Sequence, residues 1–86
     1  MPRVYNMKHG NVPADAQYIG RGSPFGNPFV LGRDGTRDEV CDKFEAHAKS
    51  SPALMALIRE LRGRDLKCFC KPKRCHGDFI LREANR

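Results

Sequence analysis

The chain has 86 residues, of which 40% are apolar and 30% are charged, and its formal net charge is +6. This composition is typical of a globular protein and excludes a disordered or fibrous chain, while the length suffices for one small domain, residues 1–86. The longest apolar run, Ala53–Ile58, is far shorter than the roughly 20 residues of a bilayer span, and the first six residues lack the features of a secretory signal. We therefore expect a cytoplasmic domain that does not bind membranes.

Hydrophobic patterning predicts six elements in the order strand, strand, helix, helix, strand, helix. Strands are predicted where residues that favour strands lie between turn residues, at 3–7, 17–20 and 65–70. The first helix follows a capping-box sequence, Thr36–Glu39, and the second has Ser51 as its N-cap and ends at Gly63. The third helix begins near His76–Asp78.

The first two predicted helices each have an apolar face. The predicted core positions are Val40, Cys41, Phe44 and Ala48 in the first helix, and Leu54, Leu57, Ile58 and Leu61 in the second. About three short strands with three helices predict an α/β fold, a small single-domain layer arrangement. The strand directions stay open, because the link between the first two strands is too short for a helical crossover.

A glycine-rich segment, residues 20–29, directly follows the second predicted strand. Glycine lets the backbone approach a ligand and point its N–H groups at an anion, and the segment matches neither a P-loop nor a dinucleotide fingerprint. The predicted ligand-binding residues here are Gly20, Arg21, Gly22, Ser23 and Asn27. The alternative is a rigid surface loop that places Phe25 and Phe29 in the core.

Three of the four cysteines lie in a second segment, residues 68–78, which is called the Cys/His segment below. One interpretation makes Cys75 a nucleophile whose thiolate is favoured by the start of the last helix, with His76 and Asp78 as its catalytic partners. Another is a zinc site, although the spacing departs from that of structural zinc sites; its ligands would be Cys68, Cys70, Cys75 and His76. A third is that the thiols are ordinary buried side chains. A reducing cytoplasm favours each of these over a disulfide.

The two segments meet only if the second and third strands run parallel, because ligands bind beyond the carboxyl ends of parallel strands. The combined site would then bring several cations to a helix N-terminus, namely Arg21, Lys71, Lys73 and Arg74. This set favours a phosphate-bearing small molecule, plausibly a nucleotide, and requires no cofactor. Whether the protein is an enzyme stays open.

The positive charge is concentrated at the C-terminus. Residues 59–86 carry nine basic and four acidic side chains, whereas residues 34–58 carry three basic and five acidic ones. A basic surface attracts phosphate-bearing partners. The alternative function is therefore a non-catalytic basic module, stabilised by zinc in one version, that binds nucleic acid or a host protein.

Both segments resemble those of a known family, domain of unknown function 4326, which comprises small proteins of bacteria and their phages. The likeness rests on residues 12–16, 18–21 and 23–29, on Asp65-Leu66, and on a C-terminal motif of Cys68-Phe69-Cys70, Pro72 and Cys75-His76-Gly77-Asp78. Phe25 and Phe69 stand where the family frequently has tryptophan. The resemblance implies a bacterial cell or a phage-infected host, and it implies no particular activity.

Overall fold

All six predicted elements are present, in the predicted order, in the computed structural model, which describes residues 2–69 and 73–86. Their bounds are Val4–Asn6 (β1), Gln17–Tyr18 (β2), Arg37–Lys49 (α1), Pro52–Arg59 (α2), Leu66–Cys68 (β3) and His76–Ala84 (α3). The strands are shorter than predicted, and Cys70, at the end of the third predicted strand, lies outside the described residues. The α/β fold is confirmed.

The sheet has the strand order β1-β3-β2, and both pairings are parallel. In register, Leu66 of β3 lies opposite Val4 of β1 and Gln17 of β2. The last strand in the chain therefore lies between the first two, and residues 7–16 connect β1 to β2 without a crossover helix. This arrangement settles the strand directions that the sequence left open.

Local capping residues fix where the helices begin. At α1, the Thr36 hydroxyl accepts a hydrogen bond from the Glu39 N–H, and the Glu39 carboxylate accepts one from the Thr36 N–H at 2.9 Å. At α2, the Ser51 hydroxyl accepts from the Leu54 N–H at 3.3 Å. Both predicted starts are confirmed. None of the helices among the described residues has the length and apolarity needed to cross a membrane.

The core lies between one face of the sheet and the helices, with α3 packed on β1 and β3 and with α1 and α2 packed on α3. All four predicted core positions of α1 are buried. In α2 the prediction was partly wrong, because Leu57 is 39% exposed and Leu54 is only half-buried. The helix ends at Arg59, so Leu61 reaches the core from the following turn rather than from a continuous helical face.

Candidate functional site

The parallel sheet brings the glycine-rich segment and the Cys/His segment to the same edge. β2 ends at Tyr18 and β3 ends at Cys68, and each strand leads directly into one of the two segments. Between them lies a cavity of about 420 Å³, called the edge cavity below. Its walls include the predicted residues Gly20, Arg21, Asn27, Cys68, Arg74, Cys75 and His76. The volume is in the range of small-molecule sites.

The turn that opens the glycine-rich segment is held by its own hydrogen bonds. The Ser23 hydroxyl donates to the carbonyl oxygen of Gly20 at 2.7 Å and accepts from the N–H of Phe25 at 3.3 Å. A Cβ at Gly20 would overlap the phenol ring of Tyr18, so a side chain there would require that ring to move. The hydroxyl predicted to serve a ligand is therefore already engaged within the loop.

Each of the two interpretations of the glycine-rich segment agrees with part of the observed structure. Phe25 is buried in the core, whereas Phe29 is half-buried on the wall of the edge cavity. Gly22 and Ser23 do not line the edge cavity but an adjoining shallow depression of about 270 Å³, which Arg21 shares with the edge cavity. The segment thus supports the core on one side and borders both depressions on the other.

Asn27 joins the glycine-rich segment to α1. Its amide Nδ2 donates to the carbonyl oxygen of Val40 at 3.0 Å, and its Oδ1 accepts from the N–H of Phe29 at 2.9 Å. These bonds hold the first turns of α1 over the edge cavity, and Arg37, Val40 and Cys41 form part of its wall. Asn27 therefore positions the wall while it also lines the cavity.

Several cavity residues were missed by the sequence analysis. They are mainly apolar or aromatic, and comprise Tyr18, Phe29, Leu31, Arg37, Val40, Cys41 and Phe69. The alternation of β3 placed Phe69 on the face opposite Cys68, and this alternation is the one local signal that indicates an exposed aromatic ring beside the site. The helical residues were not predictable because they reach the cavity through tertiary packing.

The three arginines that line the edge cavity differ in their partners. Arg74 forms ion pairs with Asp42 at 2.8 Å, Asp38 at 3.1 Å and Glu45 at 3.7 Å. The hydrogen bonds to Asp42 and Asp38 raise the pKa of the Arg74 guanidinium, and the carboxylates compensate its charge. Within residues 2–69 and 73–86, no carboxylate lies at ion-pair distance from Arg21 or Arg37.

Part of the positive charge of the C-terminal third is paired in the fold with carboxylates of α1 and α3. Arg82 contacts Glu45 at 2.9 Å, and Arg86 contacts Glu83 at 3.2 Å. With Arg74, three basic side chains of this third therefore have acidic partners. Basic residues of the C-terminal third therefore pair with acidic residues of α1 and α3. Less unpaired positive charge remains on this side of the protein than the composition indicates.

Cys75 and His76 lie together at the start of α3. Cys75 is the N-cap, and its sulfur accepts from the N–H of Gly77 at 3.3 Å. The sulfur is 3.6 Å from Nδ1 of His76, whose Nε2 lies 2.7 Å from the carbonyl oxygen of Ile19. Because a carbonyl oxygen only accepts, Nε2 carries a proton, and Nδ1 of the neutral ring is then an acceptor that faces the thiol.

Asp78, which the sequence suggested as a catalytic partner of Cys75, caps the start of α3 in the structure. Its Oδ2 accepts from the N–H of Cys75 at 3.2 Å, completing a capping box at α3, and it is the carbonyl of Ile19 that orients the Nε2 side of His76. The first turn of α3 also uses the Gly77 N–H for the Cys75 sulfur. These N–H groups are engaged within the helix start, so the cationic side chains are the better anion ligands.

The described part of the chain holds no group of three or more His, Cys, Asp or Glu side chains arranged to bind a metal ion. Of the four predicted zinc ligands, Cys68, Cys75 and His76 lie close together, while Cys70 lies outside the described residues. Lys71, predicted to bind the ligand, lies outside them too. Lys73 is exposed.

Comparison with known proteins places nearly the whole chain in one family. Residues 3–86 match the model of a family described as a domain of unknown function, DUF4326. Over 73 residues the chain is 40% identical to a protein of Enterobacteria phage T4 named "Uncharacterized 12.4 kDa protein in nrdA-td intergenic region". The match covers 79% of this chain and 66% of the relative, which is just under two thirds of the relative's length. No solved structure matches. The chain belongs to the DUF4326 family.

Proposed function

We propose that the protein binds a nucleotide, or a closely related phosphate-bearing small molecule, in the edge cavity. The observation that carries the proposal is the composition of the cavity wall. The wall combines aromatic and apolar side chains with two arginines, Arg21 and Arg37, that have no carboxylate partner among the residues that the structure describes. A nucleotide has the matching two parts, a flat ring system and an anionic tail.

The aromatic and apolar residues of the cavity wall suit a nucleobase. Phe69 and Leu31 are each 51% exposed although both are large apolar side chains, and both line the cavity. Tyr18 contacts Phe69 edge to face, with ring centroids 6.4 Å apart, which supports the exposed ring from one side. Stacking of a base on an aromatic ring contributes about 1–3 kcal/mol. A base covering Phe69 and Leu31 would remove this exposed apolar surface from water.

The arginines of the cavity wall suit a phosphate. Arg21 and Asn27 border both the edge cavity and the adjoining depression, so a ligand that extends from one into the other passes these two residues. The adjoining depression is lined in part by Gly22 and Gly26, which leave the backbone accessible to a ligand. We assign the phosphate to Arg21, with Arg37 as the second cation. A charge-assisted hydrogen bond from a guanidinium to a phosphate contributes about 1.5–3 kcal/mol.

Calorimetric titration tests this proposal. The panel contains nucleoside monophosphates, the matching nucleosides and inorganic phosphate, so that the base and the phosphate are assessed apart. We expect at least one nucleotide to bind more tightly than its nucleoside and than phosphate alone. Arg21→Ala should weaken that binding about tenfold or more. Arg62→Ala, which removes an equal charge at an exposed position outside the cavity, should leave it unchanged. Absence of binding by every nucleotide would overturn the proposal.

The alternative function, a basic module that binds nucleic acid, has less support from the charge distribution. Arg74, Arg82 and Arg86 all contact carboxylates, which reduces the positive field of the C-terminal third. If an oligonucleotide bound with a steep salt dependence while no mononucleotide bound, the result would favour the module over the small-molecule site. A catalytic role for Cys75, His76 and Asp78 stays a prediction.

A further inference from the structure

Two buried thiols face each other at the inner wall of the edge cavity. The sulfurs of Cys68 and Cys75 are 3.1 Å apart, about 1 Å more than the length of a disulfide bond. We propose that Cys68 and Cys75 form a reversible dithiol–disulfide couple that reacts with small disulfides entering the cavity. This inference goes beyond ligand binding and does not depend on it.

The fold supports the closeness of the two sulfurs. Cys68 ends β3, the central strand of the sheet, and Cys75 is the N-cap of α3, which packs on that strand. Both residues are buried, at 1% and 2% exposure, and both line the cavity. This burial shields them from the surface of another protein, and the cavity is the route by which the proposed reaction would bring a small disulfide to them. The pair is thus selective for a low-molecular-weight oxidant.

The surroundings of Cys75 make it the attacking thiol. The N–H of Gly77 donates to its sulfur at 3.3 Å, and the positive end of the α3 dipole lies at the same position. Nδ1 of His76, 3.6 Å away, is placed to accept the thiol proton, because Nε2 is held as a donor by the Ile19 carbonyl. These groups favour the thiolate of Cys75 and leave Cys68 as the resolving thiol.

The reaction balances with glutathione disulfide as the oxidant. The Cys75 thiol gives its proton to His76, and the thiolate attacks one sulfur of glutathione disulfide, breaking that bond and releasing a glutathione thiolate, which takes the proton back from His76. Cys68 then attacks the Cys75 sulfur of the mixed disulfide, and its proton leaves with the second glutathione. The two protein thiols are oxidised, and one glutathione disulfide is reduced to two glutathiones.

In a reducing compartment such a couple is expected to be transient, as catalytic or redox-sensing disulfides are. We expect the fraction of disulfide to rise and fall reversibly with the ratio of oxidised to reduced glutathione, and to disappear on addition of dithiothreitol. The cavity wall would change with it, since both residues form part of that wall.

The test uses the double variant Cys41→Ser/Cys70→Ser, in which Cys68 and Cys75 are the only thiols. After equilibration in glutathione buffers, intact-mass spectrometry should show a monomer that has lost two hydrogen atoms. Peptide mapping should show residues 68–73 linked to residues 75–82. In the triple variant that adds Cys68→Ser, oxidation should stop at one glutathione attached to Cys75, which identifies the attacking thiol.

Three results would overturn the inference. The first is a double variant in which both thiols are still alkylated by iodoacetamide after equilibration with excess glutathione disulfide. The second is a disulfide that forms only between two chains. The third is a wild-type protein that retains a zinc ion in native mass spectrometry, because bound thiolates would then be ligands rather than a redox couple. If the double variant does not fold, peptide mapping of the wild-type protein after the same equilibration tests for the same link between residues 68–73 and 75–82, and its absence overturns the inference. None of these results depends on nucleotide binding.

Discussion

The imidazole of His76 and the carbonyl oxygen of Ile19 form a 2.7 Å hydrogen bond that joins the first turn of α3 to the residue after β2. Both residues are buried, with Ile19 fully enclosed and His76 7% exposed. The bond fixes the ring so that Nδ1 faces Cys75, and the ring also packs edge to face on Phe44 with centroids 5.0 Å apart. A single side chain therefore links the Cys/His segment to the residue that directly precedes the glycine-rich segment.

Replacing His76 by leucine should destabilise the fold, because the buried Ile19 carbonyl would lose its partner. The expected cost is about 1–3 kcal/mol in the free energy of unfolding, with a fall in the melting temperature of about 4–8 °C for each kcal/mol. Urea denaturation and calorimetry measure both quantities. His76→Gln keeps a donor and should lose less. Equal losses in the two variants would show that the hydrogen bond is not what stabilises this region.

The close packing of Gly77 predicts a second stability effect. A Cβ at Gly77 would lie 2.5 Å from Cδ1 of Ile19 and 3.3 Å from a methyl carbon of Val4. Gly77→Ala should therefore cost about 1–3 kcal/mol by overpacking, despite the better helix propensity of alanine. Gly10→Ala is the matched control, since no atom lies within 4 Å of a Cβ there. Urea titrations that find Gly77→Ala as stable as wild type would contradict the packing of α3 on the sheet.

The capping carboxylate of Glu39 predicts a pH dependence. The hydrogen bond from the Thr36 N–H lowers the pKa of Glu39 below its ordinary value of 4.5. A lowered pKa in the folded state contributes stability that is present above the unfolded-state pKa and is lost as the pH falls through the folded-state value. Glu39→Gln should thus be less stable than wild type near pH 7, and the difference should vanish in acid.

Chemical denaturation between pH 7 and pH 3 measures this difference. Asp15→Asn, an exposed loop substitution, is the control for the loss of one carboxylate. If the gap between Glu39→Gln and wild type stayed constant over the whole range, the carboxylate would not stabilise α1 through its charge.

The features that the sequence predicted correctly are mainly local. Thr36 and Ser51 begin helices because their side chains bond N–H groups three residues away, and such contacts depend little on the rest of the fold. The insertion of β3 between β1 and β2 depends on long-range pairing, so the adjacency of the two segments was predicted only on the condition of parallel strands.

In the candidate site, too, local features were predictable and long-range contacts were not. Cys75 at a helix start was predictable from the following His76–Asp78, whereas the compensation of Arg74 by Asp38 and Asp42 was not, because α1 and the Cys/His segment meet only in the folded chain. A pattern indicates which charges exist but not which of them are already paired.

Substitution of Phe69 should change the affinity for the ligand but not the stability of the fold. Its ring is half exposed and lines the edge cavity, so Phe69→Ala should change the free energy of unfolding little. Nucleotide affinity should fall about tenfold, the equivalent of one lost stacking contact. Leu57→Ala, at an exposed apolar position on α2, is the control. Calorimetry that finds full affinity in Phe69→Ala would exclude stacking on this ring.

The position of the ligand is tested most directly by nuclear magnetic resonance. Amide chemical shifts of the ¹⁵N-labelled wild-type protein are followed during titration with the tightest-binding nucleoside monophosphate. We predict that the shifts cluster in residues 20–31, in residues 37–41, at Phe69 and in residues 74–77, which surround the edge cavity. Saturable shifts confined to another surface, such as the exposed face of α2, or no shifts at millimolar nucleotide, would contradict a nucleotide site between the two segments.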